Sequence, residues 1–218
     1  MVQKSRAHIR YKNSDGKVVP GVTTILDIMA KPALIKWANN LGLQGIDSSK
    51  YRDEMADIGT LAHALIMCEL KEDLDATADY LVNYSASQIV LAENALRSFH
   101  SWKNGHDVEP ILVEEPLVSE MMQVGGTIDL YAKVDGLYTL VDFKTGNAIY
   151  FEAQCQVAAY VYILVEHGHM VEQTRLLRIG RTPDEGFEEM VPACRPQHLA
   201  LFKHCREIYE LRKELNRK

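Results

Sequence analysis

The chain has 218 residues, enough for one well-packed domain and too few for two independent ones of ordinary size. Hydrophobic residues at 47% and charged residues at 25% match a globular composition, and no run of about 18 apolar residues offers a membrane span. A formal net charge of −6 excludes a surface that grips nucleic acid everywhere, while leaving room for a local basic channel, because a phosphate responds to the groups nearest it. The first residues, "MVQKSRAHIRYKNSDGK", are basic and polar without the apolar core of a secretory signal, so an intracellular, cytoplasmic location is expected. "VPGVTTIL" (19–26) leads into "KPALIKWANNLG" (31–42), where Pro32 suits a first helical turn and Gly42 a C-terminal stop. Over 50–70, Met55, Ile58, Leu61, Ala62, Leu65 and Ile66 recur at helical intervals, and a third helix is predicted over 85–103. Three β-rich runs follow at 110–118, 126–134 and 137–143, the last two joined by Asp135-Gly136, a strong hairpin signal. A helix over 151–167, strands over 174–180 and 187–192, and an amphipathic helix over 196–215 complete the chain. This order predicts an α/β fold, a mixed sheet covered by helices.

Four cysteines, Cys68, Cys155, Cys194 and Cys205, are scattered without a C-x-x-C pair, which argues against a zinc ribbon or a disulfide framework and leaves them as packing thiols. The acidic run "CELKEDLDATADY" (68–80) and the arginines Arg175, Arg178 and Arg181 read as solvated faces. Trp37 and Trp102, at helical spacing, read as core residues before base-stacking platforms.

The hairpin carries the chemistry. Side chains alternate across a strand, so Asp142 and Lys144 share one face while Val141 and Phe143 fill the core behind it. Asp129 lies in the paired strand, and its carboxylate can converge with that of Asp142. Two carboxylates and a backbone carbonyl, such as that of Phe143, form a hard-oxygen site suited to Mg²⁺ or Mn²⁺. An ammonium beside it can orient or deprotonate a water and offset charge on a phosphate. D-x-K alone is short enough to arise by chance, but the next helix places Gln156 and Tyr160 four residues apart on one face, with Glu152 one turn earlier. Glu114, Glu115 and Glu120 precede the hairpin and could supply no more than an outer-sphere carboxylate.

"GGTIDLYAKVDGLYTLVDFKTG" followed by "QVAAY" resembles the PD-(D/E)XK nuclease superfamily, in particular RecB-like exonucleases: an aspartate in one strand, D-x-K in the next, Q-x-x-x-Y on the following helix. Upstream, "IGTLAHALI" (58–66) resembles the family's G-T-x-x-H helix, which implies His63 as a metal ligand. "VTTIL" and the tryptophan-bearing helix after it are similar to the opening of phage and mitochondrial single-strand exonucleases of this group. The likeness spans roughly residues 20–180. It implies a restriction-endonuclease-like core with a helical N-terminal region, arranged as one nuclease domain over 1–218: helical to 105, sheet and active site over 106–195, C-terminal helix over 196–218.

The activity implied is metal-dependent hydrolysis of DNA phosphodiester bonds from single-stranded ends, with one or two Mg²⁺ or Mn²⁺ ions held by His63, Asp129, Asp142 and the Phe143 carbonyl. Lys144 acts on the attacking water, and Gln156 and Tyr160 support it or touch the substrate. DNA is the expected partner, joined by a replication or recombination protein. No cysteine precedes "GTLAH" and no C-x-x-C follows "QVAAY", which disfavours the iron–sulfur relatives, and no helicase P-loop is present. Two alternatives keep the fold: a catalytically idle DNA-end-binding or protein-interaction module, and an endonuclease, which needs a base-reading element not visible here.

Overall fold

The computed structural model describes residues 9–216, so part of the basic N-terminal stretch and the last two residues lie outside it. Helices α1 (Val22–Leu26), α2 (Pro32–Leu43), α3 (Ser48–Leu70), α4 (Thr77–Leu81) and α5 (Ala86–Lys103) form the first part. Strands β1 (Val108–Ser119), β2 (Val124–Val134) and β3 (Leu137–Lys144) follow, then α6 (Phe151–Glu166), β4 (Gln173–Ile179), β5 (Phe187–Met190) and α7 (Pro196–Leu215). The five strands lie in chain order in one sheet, antiparallel except for the parallel pair β3 and β4, whose crossover is α6. This is the mixed sheet with flanking helices and a helical N-terminal region that the sequence predicts.

Local chemistry explains most of the boundaries. Asp47 accepts from Ser49 N at 2.9 Å and Lys50 N at 3.1 Å and so starts α3, while Ser85 and Gln88 form a capping box at the head of α5. Asp135 and Gly136 both hold positive φ (52° and 83°), the geometry that a two-residue hairpin of matching twist requires. Gly42 does not stop α2. The helix runs through it to Leu43, and the left-handed residue is Gly45 (φ 74°), three positions on. Helices α1 and α4, five residues each, are too short to show a period and are absent from the sequence expectation.

Each face of the sheet has its own core. Val22, Ile25 and Leu26 of α1, Val157, Ile163 and Leu164 of α6, and Phe202 of α7 pack on Ile128, Leu140 and Leu176. On the other face Ile58, Leu61, Leu65, Phe99 and Trp102 of α3 and α5 pack on Leu130, Val141, Phe143 and Leu177. In β3 the alternation is regular, Leu140 to the α6 face and Val141 to the α3 face. In β2 it slips: Ile128 packs under α6 and Leu130 under α3, although two residues apart they should share a face. Asp129 sits at that slip.

Trp102 is buried in the α3-face core, as expected, with Nε1 donating to Glu189 Oε1 at 2.8 Å, whereas Trp37 lies partly exposed on α2, which buries no residue at all. All four cysteines are unpaired; Cys68, Cys155 and Cys205 are buried. Arg175 is not a solvated residue but a buried one, held by Glu189 at 2.7 Å and Asp135 at 3.6 Å. Among the described residues, no helix is long and apolar enough to cross a membrane.

Candidate active site

Three elements bring acidic and imidazole groups to the point where β2 slips. The pairs Val113↔Leu130 and Glu115↔Ile128 place Glu114 opposite Asp129. Glu114 has φ 49°, a left-handed conformation that a residue with a side chain adopts inside a strand at a cost of about 1–3 kcal/mol. That turn brings its carboxylate toward α3, where His63 Nδ1 lies 2.9 Å from Glu114 Oε1 and 3.5 Å from Asp129 Oδ1. One ligand atom from each of His63, Glu114 and Asp129 falls within 4.8 Å of the others. The second Asp129 oxygen, Oδ2, accepts from Phe143 N at 2.9 Å, fastening the carboxylate to the end of β3.

The helix that carries His63 reaches this point because residue 59 has no side chain. A Cβ on Gly59 would lie 2.7 Å from Thr145 Oγ1, so the glycine lets α3 close on the end of β3. From Ile58 onward most of α3 is buried, and the His63 ring packs edge-on against Phe143 at 5.8 Å between centroids.

On the α6 face, Asp142, Lys144, Gln156 and Tyr160 form one connected set. Lys144 Nζ stands 2.5 Å from Asp142 Oδ2 and donates to Gln156 Oε1 at 3.1 Å. Gln156 Nε2 donates to Asp142 Oδ1 at 2.9 Å and to the Tyr160 hydroxyl at 3.1 Å. The amide of Gln156 thus fixes lysine, carboxylate and phenol together from one position on the helix. Tyr160 itself lies over Gly126, where a Cβ would meet its ring at 2.3 Å. Gly126→Ala is therefore expected to displace the phenol and lower stability by about 1–3 kcal/mol in denaturant unfolding.

Asp142 is fully buried, and burial pushes its carboxyl up to about 6, with the neighbouring Asp129 adding to the rise and the Lys144 ammonium and His63 pulling it back. Burial likewise holds the Tyr160 phenol well above its ordinary range, so it remains protonated. The Lys144 contact is short but off-line: Asp142 Oδ2 makes no hydrogen bond of acceptable angle and is the buried side-chain oxygen without one among the described residues.

His63, Asp129, Asp142, Lys144, Gln156 and Tyr160, all read from the sequence, therefore meet at one end of the sheet. Asp142 does not belong to the three-residue ligand cluster, being engaged by Lys144 and Gln156 instead. Glu114 does belong, and sequence reasoning gave it only an outer-sphere part. Strand periodicity points a residue to one face or the other and gives no sign of a left-handed turn inside a strand. Glu115 and Glu120 take no part in the cluster, and Glu120 instead accepts from Ser14 N at 2.6 Å.

Residues 36–217 match the profile of the PD-(D/E)XK nuclease superfamily, and the chain belongs to that superfamily. No curated protein matches it. Among solved structures it is similar to an alkaline exonuclease from Laribacter hongkongensis, at 14% identity and a TM-score of 0.43, over 89% of this chain and 87% of that one. It is also similar to SSO0001, at 16% identity and a TM-score of 0.34, over 69% of this chain and 72% of that one. Superfamily membership places the chain among nucleases, enzymes of phosphodiester hydrolysis that use divalent metals.

A divalent cation fits the residues present. An imidazole and two carboxylates lie within mutual ligand reach, and a buried carboxylate oxygen beside them lacks a well-aligned donor. Glu114→Gln is expected to weaken Mn²⁺ binding about tenfold or more in calorimetry, while leaving the Asp142–Lys144–Gln156 contacts in place.

Proposed function

We propose that the chain, acting as one nuclease domain, is a Mg²⁺- or Mn²⁺-dependent deoxyribonuclease that removes nucleotides from single-stranded DNA ends. The observation that carries this is the meeting of the His63–Glu114–Asp129 cluster with the Asp142–Lys144–Gln156–Tyr160 set at the end of β3. His63, Glu114, Asp129, Asp142 and the Phe143 carbonyl would hold one or two ions. Such an ion, when bound, would polarise a phosphoryl oxygen and acidify the attacking water.

The remaining work falls to the protein's own groups. Lys144 Nζ orients the water, takes part in its deprotonation and offsets charge building on the phosphate. Gln156 holds that amine in position through its Oε1, and the buried, neutral Tyr160 hydroxyl accepts from Gln156 Nε2 and so fixes the amide that holds the amine. Asp142 orients the amine through their contact at 2.5 Å.

The single-strand and exonuclease parts rest on the order of motifs, the D-x-K hairpin with G-T-x-x-H before it and Q-x-x-x-Y after it. They are tested by adding Mg²⁺ or Mn²⁺ to end-labelled linear and to circular single-stranded DNA. Linear strands are expected to shorten, circles to persist, and EDTA to stop the reaction. Circles cut as fast as linear strands remove the exonuclease assignment.

A further inference from the structure

The sheet parts at the candidate site. Strands β2 and β3 pair from Val134↔Leu137 as far as Leu130↔Val141, and the next residues, Asp129 and Asp142, stand at the fork. From there β3 runs on beside β4, while Gly125, Gly126 and Thr127 of β2 keep β1 on one edge and have lost β3 from the other. The start of the chain takes its place. Gly125 N donates to Pro20 O at 2.9 Å, and Gly21 bridges Gly125 in parallel. A strand has two hydrogen-bonding edges and β1 occupies one, so Pro20 and Gly21 lie along the edge that β3 leaves.

Residues 11–19 form a small hairpin that fastens this segment. Lys12 bridges Val18, Asn13 Nδ2 donates to Gln123 Oε1 at 2.9 Å, and Ser14 N donates to Glu120 Oε1 at 2.6 Å, which ties the hairpin to the turn between β1 and β2. Its first residue, Tyr11, fits against two glycines. A Cβ on Gly125 would lie 2.1 Å from Tyr11 Cγ, and one on Gly21 would lie 3.3 Å from Tyr11 Cε2. The Tyr11 hydroxyl shares a hydrogen bond with Thr127 Oγ1 at 2.9 Å. Successive Cβ positions point to opposite faces of a strand, and the next glycine, Gly126, is the one under Tyr160. Two phenols therefore grip Gly125 and Gly126 from opposite faces. One is tied to the N-terminal hairpin, the other through Gln156 to Lys144 and Asp142. Thr127 stands two positions before Asp129, about 7 Å along the strand. A shift of β2 at the clamp carries over to the carboxylate that faces His63 and Glu114.

We propose that Tyr11 is a positioning residue of the active site: from the face opposite Tyr160 it holds Gly125 and Thr127, where β2 has lost β3, and thereby sets Asp129 against His63 and Glu114. This role rests on the nuclease function proposed above and adds residues 11–21 to its machinery. A ligand whose strand is held on both edges receives a cation without reordering, and outer contacts that orient a ligand are worth about 10–100-fold in metal affinity.

Calorimetry with Mn²⁺ and steady-state cleavage of a linear single-stranded oligonucleotide test this on the full chain, beside amide hydrogen exchange in EDTA. Tyr11→Ala is expected to speed exchange of the Gly125 amide and to weaken Mn²⁺ binding, each about tenfold. It is also expected to lower kcat about tenfold while KM for the oligonucleotide stays within about twofold, because the residue acts through Asp129 and not on the DNA. Tyr11→Phe keeps the ring and loses the bond to Thr127, so Mn²⁺ affinity is expected to return to within about threefold of wild type. Thr127→Val is expected to match it, and the double variant to lose nothing further, since the two hydroxyls make one bond. A folded Tyr11→Ala chain that binds Mn²⁺ as wild type does overturns the positioning role, as does one in which KM alone rises. Should Tyr11→Ala not fold, the Tyr11→Phe and Thr127→Val cycle decides, and unchanged Mn²⁺ affinity in both, or losses that add, overturn the role. A chain whose Mn²⁺ binding depends on Tyr11 but which cleaves no DNA refutes the nuclease assignment and not the clamp; one that binds Mn²⁺ and cleaves regardless of Tyr11 refutes the clamp and not the nuclease.

Discussion

Lys144→Met is expected to lower the rate of DNA cleavage by about 10³-fold at saturating Mg²⁺, the range spanned by losing a proton-transfer group or a preorganised charge. The substitution keeps the aliphatic stem and removes only the ammonium, whose partners are Asp142 Oδ2 and Gln156 Oε1. Lys144→Arg separates charge from position. A guanidinium restores the positive charge but is planar and longer, and cannot replace a point ammonium against both partners. It is therefore expected to remain at least about tenfold impaired. Fold integrity is best judged at pH 5, where Asp142 is protonated in wild type and variant alike and no uncompensated buried charge enters the comparison. Melting temperatures that agree at pH 5, beside a rate that has collapsed at pH 8, assign the loss to chemistry. Full turnover in Lys144→Met removes the amine from the mechanism.

What the sequence discloses about this protein depends on the range over which each feature is set. The hairpin is legible because its signals are local: Asp135-Gly136 supplies the two positive φ values, and alternation in β3 separates Asp142 and Lys144 from Val141 and Phe143. The Gln156–Tyr160 stripe is legible for the same reason, two polar residues one helical turn apart on a helix of apolar ones. His63 is different. Nothing about a single histidine on a helix predicts that it meets Asp129, 66 positions later in the chain, and its assignment came from the resemblance of "GTLAH" to a known motif. Glu114 lies beyond both kinds of signal. Its part depends on a left-handed φ inside β1 and on the face switch of β2 between Ile128 and Leu130, each of which breaks the period-2 rule that strand reading relies on. Gly59 and Gly126 belong to the same class, since a glycine in a sequence does not reveal which distant side chain, Thr145 or Tyr160, occupies the space its missing Cβ leaves. Backbone strain at Glu114 and the crowded glycines thus concentrate at one end of the sheet, where stability has been yielded to geometry.

That concession has a measurable pH signature at Asp142. Burial raises its carboxyl to about 6 in the folded chain, against 3.8 for an unburied aspartate, so between those values the unfolded chain holds fewer protons than the folded one. Stability contributed by this group therefore falls as pH rises through that window: the cost is absent below about pH 4 and fully present above about pH 6. A rise of about two units at about 1.4 kcal/mol each makes the cost on the order of 3 kcal/mol, already net of the attraction from Lys144. Asparagine mimics the protonated carboxyl in size and in neutrality. In EDTA, Asp142→Asn is accordingly expected to be more stable than wild type at pH 7.5, by up to about 3 kcal/mol in urea unfolding, and equal to it at pH 4. The same variant is expected to lose cleavage outright, because the amide neither pairs with the lysine charge nor serves as an anionic ligand. Mn²⁺ should then raise the melting temperature of wild type more than that of the variant, which keeps His63, Glu114 and Asp129 but lacks the Asp142 carboxylate. A variant less stable than wild type at pH 7.5 would show that the ion pair with Lys144 outweighs desolvation, and that Asp142 serves packing rather than a cation.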